Sequence, residues 1–136
     1  MEQKRACILM GSPRKNGNTV QLLRPVIAEW EETGIASDLI WLYDKQILPC
    51  KSCWGCQKDW SAFGCCQKDD MQEIVEAVLC SDLLVLATPI HSWYCTSSMK
   101  IVLDRLVFGM NKYYGEKKRS CSVDGKESRS CCNLRI

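Results

Sequence analysis

The chain has 136 residues, 46% of them apolar and 25% charged, with a formal net charge of +2 and eleven cysteines. That length supports one domain around a single core. The charge is too small to argue for a nucleic-acid partner, and no run approaches the roughly 20 apolar residues of a membrane span. The opening apolar run Ile8-Leu9-Met10 is too short for a secretory leader and ends at Gly-Ser-Pro. A cytoplasmic location is therefore expected. In that compartment the cysteines are expected to hold metal or carry redox chemistry, not to build a disulfide framework.

The first predicted strand is Arg5–Gly11, and a helix follows from about Gly17 to Glu32. Val20, Leu23, Ile27 and Trp30 fall on one helix face, with Leu22 and Val26 beside them. Pro25 has no N–H for the carbonyl of Gln21 and is expected to disturb this helix. Between strand and helix lies Gly11-Ser12-Pro13-Arg14-Lys15-Asn16-Gly17-Asn18-Thr19. A turn rich in glycine and side-chain donors at a helix N-terminus gathers backbone N–H groups and about half a positive charge, which suits a phosphate.

The spacing excludes a Walker A loop, because five residues separate Gly11 from Gly17 and Asn18 stands where the lysine belongs. It also excludes Gly-x-Gly-x-x-Gly, since no glycine lies two positions after Gly11. What is left is a metal-free phosphate cup with Ser12, Asn18 and Thr19 as donors and Arg14 as counter-charge. The competing reading is an ordinary strand-to-helix turn in which Asn and Thr serve as caps.

Strand two is expected near Asp38–Tyr43, followed by a cysteine-rich loop. Asp69 and Asp70 then open a second helix, with Asp70 and Glu73 as a capping box and Met71, Ile74, Val75 and Val78 as its core face. Leu83–Ala87 is apolar without alternation, the pattern of a strand covered on both faces, and Thr88-Pro89 ends it. A third helix, about Thr96–Phe108, is expected to bury Met99, Val102, Leu103, Leu106 and Val107. Its Lys100, Asp104 and Arg105 read as a solvated face with a helix–loop salt bridge. Cys7 and Cys80 fall in apolar patterns and read as core residues. This βαβαβα order implies an α/β fold with a parallel sheet and right-handed crossovers. Ligands of such sheets sit at the carboxyl ends of the strands, so the loops after strands one and three should share one ligand.

Three segments carry a family resemblance: Gly11–Thr19 (GSPRKNGNT), Cys50–Met71 (CKSCWGCQKDWSAFGCCQKDDM) and Pro89–Arg105 (PIHSWYCTSSMKIVLDR). Together they resemble the flavodoxin-like NAD(P)H-dependent FMN reductases and, more closely, the iron–sulfur flavoproteins. The resemblance implies a flavodoxin-like, doubly wound parallel sheet with FMN at its edge. Ser12, Arg14, Asn16, Gly17, Asn18 and Thr19 would hold the phosphate, and Pro89, Ile90, His91, Ser92 and Trp93 would line the isoalloxazine. His91, the only histidine, stands where family members often carry an aromatic. The implied activity is an FMN-dependent oxidoreductase or electron-transfer flavoprotein, with a nicotinamide nucleotide or a ferredoxin-like protein as donor.

Cys50-x2-Cys53-x2-Cys56 places three thiols close together, and Cys65-Cys66 follows. Three near cysteines and a more distant fourth suit a [4Fe–4S] cluster. Cys65 is the fourth candidate because its spacing to Asp69-Asp70-Met71 resembles the family pattern. Plain thiols and a four-cysteine zinc site stay open beside it.

Residues 1–108 make up the recognisable FMN-domain pattern. Residues 109–136 read as an irregular basic tail, with seven Lys/Arg against three Asp/Glu and the further cysteines Cys121, Cys131 and Cys132. The order 2-1-3 is present in the sequence, but no run suits strands four and five. A truncated, frame-shifted or divergent chain is expected, with strand three left as an exposed edge and homo-oligomers as one consequence. The alternative function is a flavin-free remnant or a structural zinc-binding domain without catalysis.

Overall fold

The computed structural model describes residues 3–59 and 61–111. Most of the basic tail, with Cys121, Cys131 and Cys132, lies outside the described residues. Three parallel strands, β1 (Arg5–Met10), β2 (Ala36–Trp41) and β3 (Leu83–Ala87), form a sheet of order β2-β1-β3. Helices α1 (Asn18–Glu32), α2 (Met71–Leu79) and α3 (Ser97–Met110) flank it, and a short antiparallel hairpin joins β4 (Ile90–His91) to β5 (Tyr94–Cys95). This is a flavodoxin-like α/β arrangement. Among the described residues no helix is long and apolar enough to cross a membrane.

β1 is central because its sequence allows nothing else: Ala6 through Met10 are fully buried, with no polar side chain among them. Alternate residues feed the two layers. Cys7 and Leu9 join Met71, Ile74, Val75, Met99, Val102 and Leu106 from α2 and α3. Ile8 and Met10 join Val20, Leu23, Ile27 and Trp30 from α1. Truncating any of the large β1 side chains to alanine would cost about 2–5 kcal/mol.

Several sequence expectations need correction. α1 runs unbroken through Pro25, which lies on the exposed face where the unpaired Gln21 carbonyl can meet water. The Asp70–Glu73 capping box does not form. Asp70 Oδ2 accepts the N–H of Gln46, Glu73 pairs with Lys45, and Asp69 is the residue whose carboxylate accepts the Met71 N–H. On α3, Val107 points outward and Arg105 is buried in its stead. β3 is not covered on both faces by the described residues, since Leu83, Leu84 and Leu86 are each more than a third exposed. Its apolar run sits on an edge that pairs only with β1 among those residues.

Candidate functional site

β1 ends at Met10, and Gly11 continues the sheet by donating its N–H to the Ala87 carbonyl (2.8 Å). The chain then turns through Ser12, which is buried and whose Oγ accepts the Arg14 N–H at 3.2 Å. Gly17 donates to the Arg14 carbonyl and occupies the N-cap of α1. No side chain caps that helix, and its first turn contains no acidic residue. The N–H groups of Asn18, Thr19 and Val20 therefore point into the loop with the positive end of the helix dipole behind them. Asn16 Oδ1 accepts from Arg24, and Lys15 pairs with Asp44 while lying over the Trp41 ring. Arg14 is exposed at the loop's rim.

The loop after β3 lies directly against this cup. Thr88 Oγ1 accepts the Thr96 N–H, and Thr96 Oγ1 caps α3 by accepting from Met99. A Cβ on Gly11 would come within 2.9 Å of Thr96 Oγ1 and 3.0 Å of Thr88 Oγ1. The glycine is what lets the two loops approach this closely. Beyond the two threonines the β4–β5 hairpin turns at Ser92 (φ +47°) and Trp93 (φ +71°). Both central positions of a two-residue hairpin need positive φ in the favoured turn, a region that non-glycine residues rarely adopt. Ile90 is 78% exposed and Trp93 98% exposed, with Tyr94 beside them. The result is an open apolar finger beside the uncapped N-terminus of α1, with Pro89, Ile90, His91, Ser92 and Trp93 all on that finger.

The cysteine loop packs at the other end of α3. Trp54 meets Phe108 edge to face (5.0 Å between centroids). Gln57 Nε2 donates to the carbonyls of Phe108 and Asn111, and Phe63 packs over Gly109. At the centre of the contact Arg105, only 2% exposed, pairs with the equally buried Asp69. The same guanidinium donates to the Leu48 carbonyl (3.1 Å) and to Cys65 Sγ (3.2 Å). Burial alone would raise the Asp69 carboxyl, but hydrogen bonds from Arg105, Leu48 and Met71 outweigh it and hold it below its ordinary value. Burial would likewise lower Arg105, and its bonds to Asp69 and Cys65 keep it raised.

The four predicted cluster ligands are not gathered to a point. Cys65 faces Arg105, and Cys56 Sγ lies by the Phe108 carbonyl (3.9 Å). Cys53 Sγ stands 3.4 Å from Cys66, not from Cys65, and Cys50 Sγ accepts the Ser52 N–H. Among the described residues no three His, Cys, Asp or Glu side chains converge as a metal ion's ligands would. Within the Cys53–Cys66 pair the first thiol is lowered, chiefly by the Gly55 N–H and then by Cys66, and the second is raised by its bond to Cys53. Sequence reasoning missed this pair because spacing alone cannot choose between adjacent Cys65 and Cys66. It expected a helix–loop salt bridge on α3, which Arg105 makes with Asp69, but missed the burial of Arg105, although the residue falls on the α3 face that carries Met99, Val102 and Leu106.

A parallel sheet with an uncapped helix N-terminus and an apolar hairpin at the carboxyl ends of its strands has the layout in which open α/β domains place their ligands. The chain belongs to the NADPH-dependent FMN reductase family, whose model matches residues 5–120. It is 33% identical over 99 residues to an iron-sulfur flavoprotein of Archaeoglobus fulgidus, covering 73% of this chain and 44% of that protein. It is 28% identical over 124 residues to an iron-sulfur flavoprotein of Methanosarcina thermophila, covering 88% and 63% respectively. A solved structure of RosB with bound 8-demethyl-8-formylriboflavin-5'-phosphate matches at a TM-score of 0.62 and 25% identity, over 86% of this chain and 45% of that one. The chain spans about half the length of these relatives.

Proposed function

We propose that this chain acts as a cytoplasmic FMN-dependent oxidoreductase or electron-transfer flavoprotein that receives electrons from a nicotinamide nucleotide or a ferredoxin-like protein. The observation that carries this reading is the uncapped, acid-free N-terminus of α1 set against the Thr88–Thr96 base of an exposed apolar hairpin. The residues fit a flavin phosphate. Ser12, Asn16, Gly17, Asn18 and Thr19 would surround the anion, with Arg14 at the rim as counter-charge. Pro89, Ile90, His91, Ser92 and Trp93 would present backbone donors and flat apolar surface to the isoalloxazine, His91 as a packing residue. Bound FMN supplies hydride or one-electron transfer, and the chain supplies its position and surroundings. That RosB holds a riboflavin phosphate supports the ligand class.

The cysteine loop does not fit a [4Fe–4S] cluster on Cys50, Cys53, Cys56 and Cys65, because Cys65 is turned onto Arg105 and its neighbour Cys66 faces Cys53. The exposed leucines of β3 support self-association as part of this reading.

The test is a titration of the purified chain with FMN and, separately, riboflavin, read by flavin fluorescence. FMN is expected to bind roughly 10- to 100-fold more tightly, the worth of about 1.5–3 kcal/mol in hydrogen bonds to a charged phosphate. Equal affinities, or no binding of either, would overturn the proposal.

A further inference from the structure

The flavin reading makes no use of Cys53 and Cys66. Both are exposed, and their sulfurs lie 3.4 Å apart, against about 2.05 Å in a disulfide. Gly55 lies beside both sulfurs. A Cβ there would lie 3.5 Å from Cys66 Sγ and 3.6 Å from Cys53 Sγ. Cys53 is flanked by Ser52 (φ +51°) and Trp54 (φ +58°), two non-glycine residues in the left-handed region. Each sulfur is fixed from its own side. Trp54 and Gln57 anchor the Cys53 turn to the end of α3, and Arg105 holds Cys65, the residue preceding Cys66. The two thiols are thus brought together by separate tethers thirteen residues apart in the chain.

We propose that Cys53 and Cys66 form a reversible dithiol–disulfide couple that reduces low-molecular-weight disulfides. The Cys53 thiolate attacks one sulfur of R–S–S–R. A Cys53–S–S–R bond forms and one RS⁻ leaves. The Cys66 thiolate then attacks the Cys53 sulfur, closing the Cys53–Cys66 disulfide and releasing the second RS⁻. The substrate gains two electrons, the pair loses two, and the two cysteine protons end on the released thiolates or in water.

The experiment treats the full chain with excess oxidised glutathione, quenches with acid, alkylates the remaining thiols and digests with trypsin. The expected product joins the peptide of residues 52–58 to that of residues 59–68 through Cys53 and Cys66, with Cys56 and Cys65 alkylated. Dithiothreitol should reverse it. Alkylation of Cys53 and Cys66 should fall to background while that of Cys50 is unchanged. Cys53→Ser or Cys66→Ser should trap a glutathione adduct on the remaining thiol, and Cys50→Ser should still close the bridge. A bridge joining any other pair would overturn the proposal. So would persistent alkylation of both thiols, or protection of both by iron or zinc carried by the purified protein. FMN affinity is read independently, so failure here leaves the flavin reading standing.

Discussion

Arg105→Met tests what holds the cysteine loop to α3. The methionine fills most of the volume of the arginine stem, so the loss is of charge and hydrogen bonds and not of packing. Removed are the donors to Asp69, to the Leu48 carbonyl and to Cys65 Sγ. Left behind is the Asp69 carboxylate, whose side chain is only 4% exposed. Stranding one partner of a buried pair costs about 3–5 kcal/mol. Asp69 keeps the N–H groups of Leu48 (2.7 Å) and Met71 (3.3 Å), which places the expected loss at the lower end, about 3 kcal/mol. A domain of ordinary stability, about 5–15 kcal/mol, survives that loss.

Urea denaturation of the wild type, Arg105→Met, Asp69→Asn and the double variant gives the cycle. The double variant should recover at least about 1 kcal/mol relative to Arg105→Met, because its buried carboxylate is gone. The pH dependence carries the same signature. The native Asp69 carboxyl lies below its ordinary 3.8. The stability it contributes is therefore whole above about pH 4 and is lost as pH falls through the lower native value. Asp69→Asn should flatten that acid limb, and Arg105 stays charged throughout. An Arg105→Met chain within about 1 kcal/mol of wild type, or a double variant at the plain sum of the singles, would refute the reasoning.

Burial, reinforced by Asp38 and opposed by Arg5, pushes the Cys7 thiol from 9.0 up to about 11. The native chain thus keeps a proton that the unfolded chain releases, and it should lose up to about 2.7 kcal/mol as pH rises from 9 to 11. Denaturation midpoints from pH 8 to 11 should fall more steeply for wild type than for Cys7→Ala, and parallel curves would count against it. At Gly109 an alanine gains up to about 1 kcal/mol of helix propensity, but its methyl would overlap the buried Phe63 ring, an overpacking cost of about 1–3 kcal/mol. A net loss of about 1 kcal/mol is expected, smaller in a Phe63→Leu background; a stabilised Gly109→Ala would show that the ring moves freely. Gly11→Ala should force Thr88 and Thr96 away from the phosphate loop and weaken FMN binding by roughly tenfold, about 1.4 kcal/mol, with unchanged circular dichroism. Unaltered affinity would mean that the contact between the loops does not shape the site.

The elements with a strong pattern were legible in the sequence. Leu83–Ala87 fell at its expected bounds, and the apolar positions of α2 and β1 named the core. Two failures have separate physical causes. The β4–β5 hairpin carries no Asn-Gly or Gly at its turn, and Ser92 and Trp93 take positive φ without the residue that normally signals it. Arg105 was misplaced because its charge was weighed above its position. The residue shares the buried face with Val102 and Gly109, and a partner 36 positions away makes that burial tolerable. Nothing local announces such a partner. The backbone course of the Gly11–Thr19 loop was legible because glycine spacing is visible in sequence. The cysteine loop was not, because its arrangement depends on which of two adjacent side chains Arg105 takes.

The two chemical features sit at opposite ends of one helix. Thr96 caps α3 against Gly11 and the phosphate loop, and Phe108, twelve positions on, holds Trp54 and Gln57 of the cysteine loop. At about 1.5 Å per residue the helix sets Thr96 and Phe108 roughly 18 Å apart. What the two ends share is the packing of α3 itself. Met99, Val102 and Leu106 seat the helix on the core, and the Arg105–Asp69 pair locks its far end to the loop. A change that tilts the helix should disturb both ends, whereas a change at either end alone should leave the other intact.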